Sequence, residues 1–186
     1  MSFKYLRYLD KTIKNKKILV EKPLFHKNYN LKIKNNKVFV GYNLRFHPVI
    51  TFIKKYIKNK NIFLSNITCR SYLPNWRKNT SYTKSNSAKK SYGGGVLLEL
   101  SHEIDYINWI FDGIKKIDHA KIGKISDLKI DTEDYALIEG KSLRSYFNLE
   151  LNFFSKLEER KIGIYGKNFS IVGDLINDKI TIMDEN

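Results

Sequence analysis

Cysteine is nearly missing from this 186-residue chain. Cys69 stands alone, which excludes an intrachain disulfide and makes a reducing compartment the simpler setting. No secretory leader is expected from Met1 to Asp10, which alternates charge with bulk, and no apolar run approaches bilayer-spanning length. The expectation is a cytoplasmic protein with no membrane partner. Arginine is scarce too: only six of the 34 basic residues are Arg, and the lysines are scattered among Asn and Ile. A net charge of +15 would suit phosphate polymers, whose counterions a basic patch releases. No zinc-finger, RNP-type or helix-turn-helix signature accompanies that charge, although Lys14 to Lys17 and Lys54 to Lys60 are locally dense. Neither a nucleic-acid partner nor a metal is expected.

What is present is globular: 42% hydrophobic residues, with 13% aromatics, in a length that suits one good core or one domain plus a fragment. Phe3, Leu6, Leu9 and Ile13 have helical spacing and precede a short buried strand, Ile18 to Val20. A second strand, Val38 to Tyr42, follows a Lys- and Asn-rich connection with little helical character. Helix, strand, connection and strand predict part of a parallel α/β layer with an abbreviated crossover. Pro48 fits a first helical turn, with Val49, Phe52, Ile53, Tyr56 and Ile57 forming an apolar face over about 47–58. Residues 62–73 read as a strand, and 74–92 as a long polar loop without period; such loops tend to be functional, and this one could cover a site. Beyond Gly113, apolar runs near 115–122, 133–140, 144–154, 159–165, 168–173 and 178–183 read as strands. Reversals at residues 165–168 and 175–178 make the sheet largely antiparallel, with helices on one face.

The richest segment runs from Tyr92 to Asp112. Gly93 to Gly95 free the backbone before a helix whose stripe Val96, Leu97, Leu100, Ile104, Ile107 and Phe111 faces a core. Its other side carries Glu99, His102, Asp105, Tyr106 and Trp109. Two readings stand. His102 and Asp105 are either a helix-stabilising pair worth a few tenths of a kcal/mol, or, with the aromatics beside them, part of a ligand cleft.

Glu21-Lys22-Pro23, then Val40-Gly41-Tyr42-Asn43-Leu44-Arg45-Phe46, then Gly93-Gly94-Gly95 and His102-Glu103-Ile104-Asp105 follow one another in a familiar order. Over residues 5 to 175 the chain resembles the Gfo/Idh/MocA oxidoreductases, a group that includes glucose-fructose oxidoreductase and inositol dehydrogenase. The loop Ser71 to Arg77, with Trp76 and Arg77, is similar to members associated with surface-polysaccharide sugars. The resemblance implies an NAD- or NADP-dependent enzyme that moves a hydride to or from a sugar, a polyol or a sugar derivative. It implies a partial Rossmann-like segment over 1–44, the later part of a dinucleotide-binding domain. A substrate and oligomerisation domain of α/β (α+β) class follows over 45–186, its open sheet joining copies into a homo-oligomer.

By the same resemblance Lys22 and His102 are catalytic. Lys22, at the carboxyl end of a strand and before a proline whose peptide bond can be cis, would meet the substrate hydroxyl and the nicotinamide ribose. His102 would exchange the proton, as suits a group that titrates near neutrality. Asp105, Glu99, Tyr106, Trp76 and Arg77 would bind substrate; Glu21, Lys22, Pro23, Asn43 and Arg45 would meet the cofactor, Arg45 being equally readable as a salt-bridged structural residue. Two departures bear on this. Leu98 stands four residues before His102, where many relatives carry Asp, and no G-x-G-x-x-G turn occurs. The chain is thus expected to be N-terminally truncated, short of at least one βαβ unit of roughly 30 residues. The alternative is a non-catalytic remnant or binding module that keeps the substrate-side sheet.

Overall fold

The structure is a computed structural model that describes residues 3–185. It divides into two compact units, residues 1–43 and 44–186. In the first, α1 (Phe3–Thr12) leads to β1 (Lys17–Val20), which pairs in parallel with β2 (Lys37–Val40) through Lys17↔Lys37 to Val20↔Val40. The crossover between these strands contains no helix. It is held by Asp10, whose carboxylate accepts from the Lys34 N–H (2.9 Å), the Asn35 N–H (3.1 Å) and the Asn36 amide (3.0 Å). The Lys34 N–H first, then the Asn36 and Asn35 donors, keep that carboxyl below its ordinary range against the opposing effect of burial. Phe3 stacks on Tyr29 at 4.7 Å and meets Phe25 edge-on at 5.9 Å, so α1 supplies the packing that a crossover helix would otherwise bring.

The second unit opens with a 3₁₀ turn at Asn43–Phe46 and continues into α2 (Pro48–Tyr56). His47 caps α2: its Nδ1 accepts from the Val49 N–H at 3.3 Å while its Nε2 lies 3.1 Å from the Leu175 carbonyl, which suits the Nε2-protonated ring. Next come β3 (Ile62–Tyr72), the two helices α3 (Val96–Glu99) and α4 (Ser101–Ile110), and β4 (Ile114–Gly123). The chain then adds β5 (Tyr135–Ser142), β6 (Tyr146–Asn152), β7 (Phe154–Gly166), β8 (Phe169–Asp174) and β9 (Lys179–Asp184). The seven strands form one sheet in the order β4-β5-β6-β3-β7-β8-β9, antiparallel throughout except where β3 runs parallel to β6. No helix among the described residues is long and apolar enough to cross a membrane.

Alternation along the strands separates two faces. Ile67 and Cys69 of β3, Phe147, Leu149 and Leu151 of β6, Ile162 and Ile164 of β7, and Ile171 of β8 are buried. They form one cluster with Val49, Ile50 and Ile53 of α2 and with Val96, Leu100, Tyr106, Ile107 and Ile110. At Gly173 a Cβ would fall 2.5 Å from Val49 and 2.7 Å from Ile53, so glycine there lets α2 lie directly on β8. The opposite face is open and mixed: Asn66 hydrogen bonds Asn148 at 3.0 Å, and Arg70 bridges Glu150 and Glu159 at 2.6 and 3.3 Å.

Several expectations need correction. The single helix read through Asp112 is two, interrupted at Leu100 (φ −99°, ψ 31°), where the Ser101 hydroxyl donates to the Leu98 carbonyl at 2.9 Å and draws the chain out of register. Residues 74–92 are not a structureless cover. They form four short 3₁₀ turns, beginning at Leu73, and bury Ser85, Ser87 and Ala88. The two runs expected at 144–154 and 159–165 divide elsewhere, β7 extending from Phe154 to Gly166, although its pairing with β3 is irregular over that gap, passing from Arg70↔Glu159 to Tyr72↔Phe154.

An ion pair lies where α4 meets the sheet. Glu103, fully buried, faces Arg160 of β7 at 2.9 Å. Burial is the largest influence on Arg160 and opposes its charge, but Glu103, with Cys69 and Tyr106 adding to it, raises the guanidinium above its usual value; burial first and Glu103 second push the adjacent Cys69 thiol up to about 12. Replacing Arg160 by Met strands a carboxylate in the core. The expected loss of stability is about 3–5 kcal/mol, and replacing Glu103 by Leu in the same chain should recover most of it. Urea unfolding of the three variants measures both, and a loss below about 1 kcal/mol in the single variant would show that the pair holds nothing.

Candidate functional site

Glu103 fixes the rotation of α4. With Glu103 turned to the sheet, 100° per residue brings Tyr106, Ile107 and Ile110 to the same side, and all are buried. His102, Asp105 and Trp109 then project from the other side within a stripe about 60° wide. His102 is half-buried, one residue into the helix.

Both carboxylate oxygens of Asp105 are engaged by Arg45, Nε at 2.7 Å and Nη2 at 2.6 Å, in a two-pronged ion pair. Arg45 also lies 5.6 Å from the centre of the Trp109 ring, and Lys54 of α2 stands over that ring at 4.3 Å. The 3₁₀ turn after β2 and the outer stripe of α4 are therefore tied by charge and by ring contact. Glu99 accepts from the Ser87 hydroxyl at 2.8 Å, which joins the end of α3 to the loop of 3₁₀ turns.

The glycine triplet serves this junction. Gly95 adopts φ +109°, and a Cβ on it would fall 2.2 Å from the Glu133 carboxylate; one on Gly94 would fall 2.4 Å from the Asn86 carbonyl. The Glu133 carbonyl accepts from the Val96 N–H at 3.1 Å. The triplet thus admits Glu133 and the loop to the start of α3.

Tyr106 corrects the sequence reading: it is not on the outer stripe but wholly inside the core. Burial first, then Glu103 and Cys69, raise its phenol well above the ordinary value. Trp76 is half-buried, its indole N–H on the Ser71 hydroxyl at 3.1 Å and its ring edge-on to Phe153 at 5.1 Å. Trp76 and exposed Arg77 border a crevice of about 10 Å³, room for little more than one water. In the first unit Glu21 is exposed and Lys22 and Pro23 half-buried, with the Lys22–Pro23 peptide cis. These residues follow β1, and Gly41 to Asn43 follow β2, so both sets leave carboxyl ends of parallel strands, where open α/β sheets receive ligands.

Sequence reasoning missed Glu103 and Arg160, since a charged residue at a core phase breaks the apolar pattern by which a core is recognised. It also left Arg45 without a named partner.

Solved structures share this architecture. Levoglucosan dehydrogenase superposes with a TM-score of 0.79 at 19% identity, over 96% of this chain and 54% of its own. A Thermotoga maritima protein described as an oxidoreductase gives 0.75 at 20%, over 98% and 58%. The WlbA dehydrogenase of Bordetella pertussis, solved with NADH and UDP-GlcNAcA, gives 0.67 at 16%, over 81% and 45%. The chain has the fold of Gfo/Idh/MocA oxidoreductases. It spans about half the length of these structures. No protein-family model and no curated protein matches its sequence. Within the Gfo/Idh/MocA fold, the seven-stranded sheet and its helices correspond to the C-terminal α/β domain.

The Arg45–Asp105 pair is partly exposed, 37% and 11% by side chain. A double-mutant cycle with Arg45→Gln and Asp105→Asn should give a coupling of about 1 kcal/mol. Additive denaturation midpoints would mean that the pair does not hold α4.

Proposed function

We propose that this chain carries the substrate side of an NAD- or NADP-dependent oxidoreductase acting on a sugar, a polyol or a sugar derivative. The observation that carries this reading is His102, presented on the outer stripe of a helix clamped from inside by Glu103 and from outside by Arg45, in a fold shared with levoglucosan dehydrogenase, a structure of which was solved with NADH and levoglucosan. The residues present suit the nicotinamide end of a dinucleotide, since Lys22 and Asn43 follow parallel strands at their carboxyl ends. No G-x-G-x-x-G turn is among them, and Gly93 to Gly95 are taken up in packing.

Lys22 and Asn43 would hold the nicotinamide end, which would supply the hydride chemistry, two electrons with the carbinol hydrogen, by which an alcohol carbon becomes a carbonyl. The imidazole of His102 takes the hydroxyl proton in that direction and returns it in reduction. In the first unit, Lys22 follows the carboxyl end of β1, a position where a positive charge would suit an ionising hydroxyl or the nicotinamide ribose. Asp105, with both oxygens on Arg45, acts as a positioning residue. Glu99, Trp76 and Arg77 remain candidates at the substrate margin, with Glu21, Pro23 and Arg45 on the cofactor side.

Titration with NADH and NADPH, followed by turnover on a panel of sugars and polyols, tests this reading. His102→Asn should retain cofactor binding and lose about 10²–10⁴ in kcat. Lys22→Met should lose both turnover and cofactor affinity. The absence of binding at millimolar cofactor would favour the alternative, a non-catalytic binding module, a reading consistent with Leu98 at the place of the usual carboxylate.

We further propose that the open face of the sheet joins copies of the chain. Its exposed apolar side chains include Tyr146 of β6, Tyr165 of β7, Val172 of β8 and Met183 of β9. Sedimentation should find a homo-oligomer that Val172→Lys dissociates; a monomer at all concentrations would refute this.

A further inference from the structure

A pocket of about 510 Å³ lies in the second unit where the ends of α2 and α4 approach one another. Trp109 and Ile110, in its wall, are seven and eight residues beyond His102 on α4, about 10–12 Å along the axis, so the pocket lies at the far end of the helix from that imidazole and shares only Trp109 with the outer stripe. Lys54, Lys55, Lys58 and Arg144 line it, against the single carboxylate of Asp112, with Trp109 as an apolar wall.

The ordinary explanation for such cations is that they neutralise helix ends. Both helices do finish here, and each C-terminus carries about half a negative charge. With Asp112 that amounts to about two negative charges against four positive ones, which leaves about two in excess.

Two of the cations are also immobilised. The Lys54 ammonium donates to the Trp109 carbonyl at 2.5 Å and stands over its ring. Arg144, only 20% exposed by side chain, donates through Nη2 to the carbonyls of Ile57 at 2.6 Å and Lys58 at 3.2 Å. Its Nε is 3.9 Å from Asp112. One donor of the three on Lys54 serves Trp109, leaving two for a ligand. Burial first, with Arg144 and Arg45 adding to it and Asp112 opposing, draws the Lys54 ammonium below its ordinary value. Lys55 and Lys58 are exposed at the rim and make no ion pair among the described residues.

We propose that this pocket binds a small molecule through its phosphate groups, with Lys54 and Arg144 as the fixed floor and Lys55 and Lys58 as mobile clamps. The volume suits a phosphorylated metabolite. An excess of about two charges matches a phosphate monoester dianion or a pyrophosphate group. The lysine-dense stretch after residue 54 thereby has a use in one concave site instead of along a polymer.

The full chain is titrated with inorganic pyrophosphate at constant ionic strength, by calorimetry and by tryptophan emission, Trp109 being one of two indoles. Saturable heat with a matching change in emission is expected. Lys55→Ala/Lys58→Ala, which removes only exposed side chains, should weaken it about tenfold, or about 1.4 kcal/mol. Lys115→Ala/Lys121→Ala, an equal loss of charge on exposed β4, should leave it unchanged. No saturable response, or equal weakening in both double variants, overturns the proposal. So does a single-stranded oligonucleotide that binds in a strongly salt-dependent way and is not displaced by pyrophosphate.

Discussion

The structure of the second unit turns on the ion pair between Glu103 and Arg160. A carboxylate with no exposure at all is tolerable only with a partner, and the partner comes from β7, near the middle of the sheet. Hydrophobic contact alone would permit α4 to roll, because Ile, Leu and Phe side chains substitute for one another at small cost when a helix rotates. A charge pair at 2.9 Å does not permit it. The pair is therefore better understood as specifying the orientation of α4 than as adding net stability, and the orientation decides which residues face outward. His102, Asp105 and Trp109 are available because Glu103 is not.

Much of this was legible in sequence, for identifiable reasons. Period-two runs with β-branched and aromatic residues marked nearly every strand after Gly113, and the reversals at 165–168 and 175–178 carry Asn168 and Asp178 at positive φ, as turn chemistry asks. Pro48 at the first turn of α2 and the parallel pairing of β1 with β2 followed from local rules alone. What escaped depends on partners distant in sequence. Glu103 reads as a surface residue until Arg160, 57 positions on, is brought opposite it. Tyr106 sits at the margin of the outer stripe, and only the phase set by Glu103 assigns it to the core. The break at Leu100 needs the Ser101 hydroxyl to compete for the Leu98 carbonyl, a local choice that a helical period does not register.

The loop of 3₁₀ turns shows the same dependence. Ser- and Lys-rich composition without period suggested an open segment, yet Ser85, Ser87 and Ala88 are buried. Their hydroxyls are satisfied: that of Ser85 donates to the Tyr82 carbonyl at 2.6 Å, within its own turn, and that of Ser87 to Glu99 of α3 at 2.8 Å. A polar sequence can pack in this way when its buried groups find hydrogen-bond partners. The glycine triplet completes the arrangement, because side chains at Gly94 and Gly95 would collide with that loop and with Glu133. Glycines expected to free the backbone before a helix serve here as close-approach positions.

The outer stripe of α4 is also where the two sites meet physically. Lys54 binds the Trp109 carbonyl and covers its ring, Arg45 lies near that ring, and Arg45 holds Asp105, one turn from His102. Each link is a contact between fixed groups, so the face that presents His102 shares its support with the floor of the cationic pocket. An anion taken up on the remaining donors of Lys54 would change the charge over that ring while leaving the contacts with Trp109 in place. The inner pair resists any rotation of the helix in response. Such a change would therefore be confined to side chains along the stripe, and α4 would keep its orientation whether or not the pocket is filled.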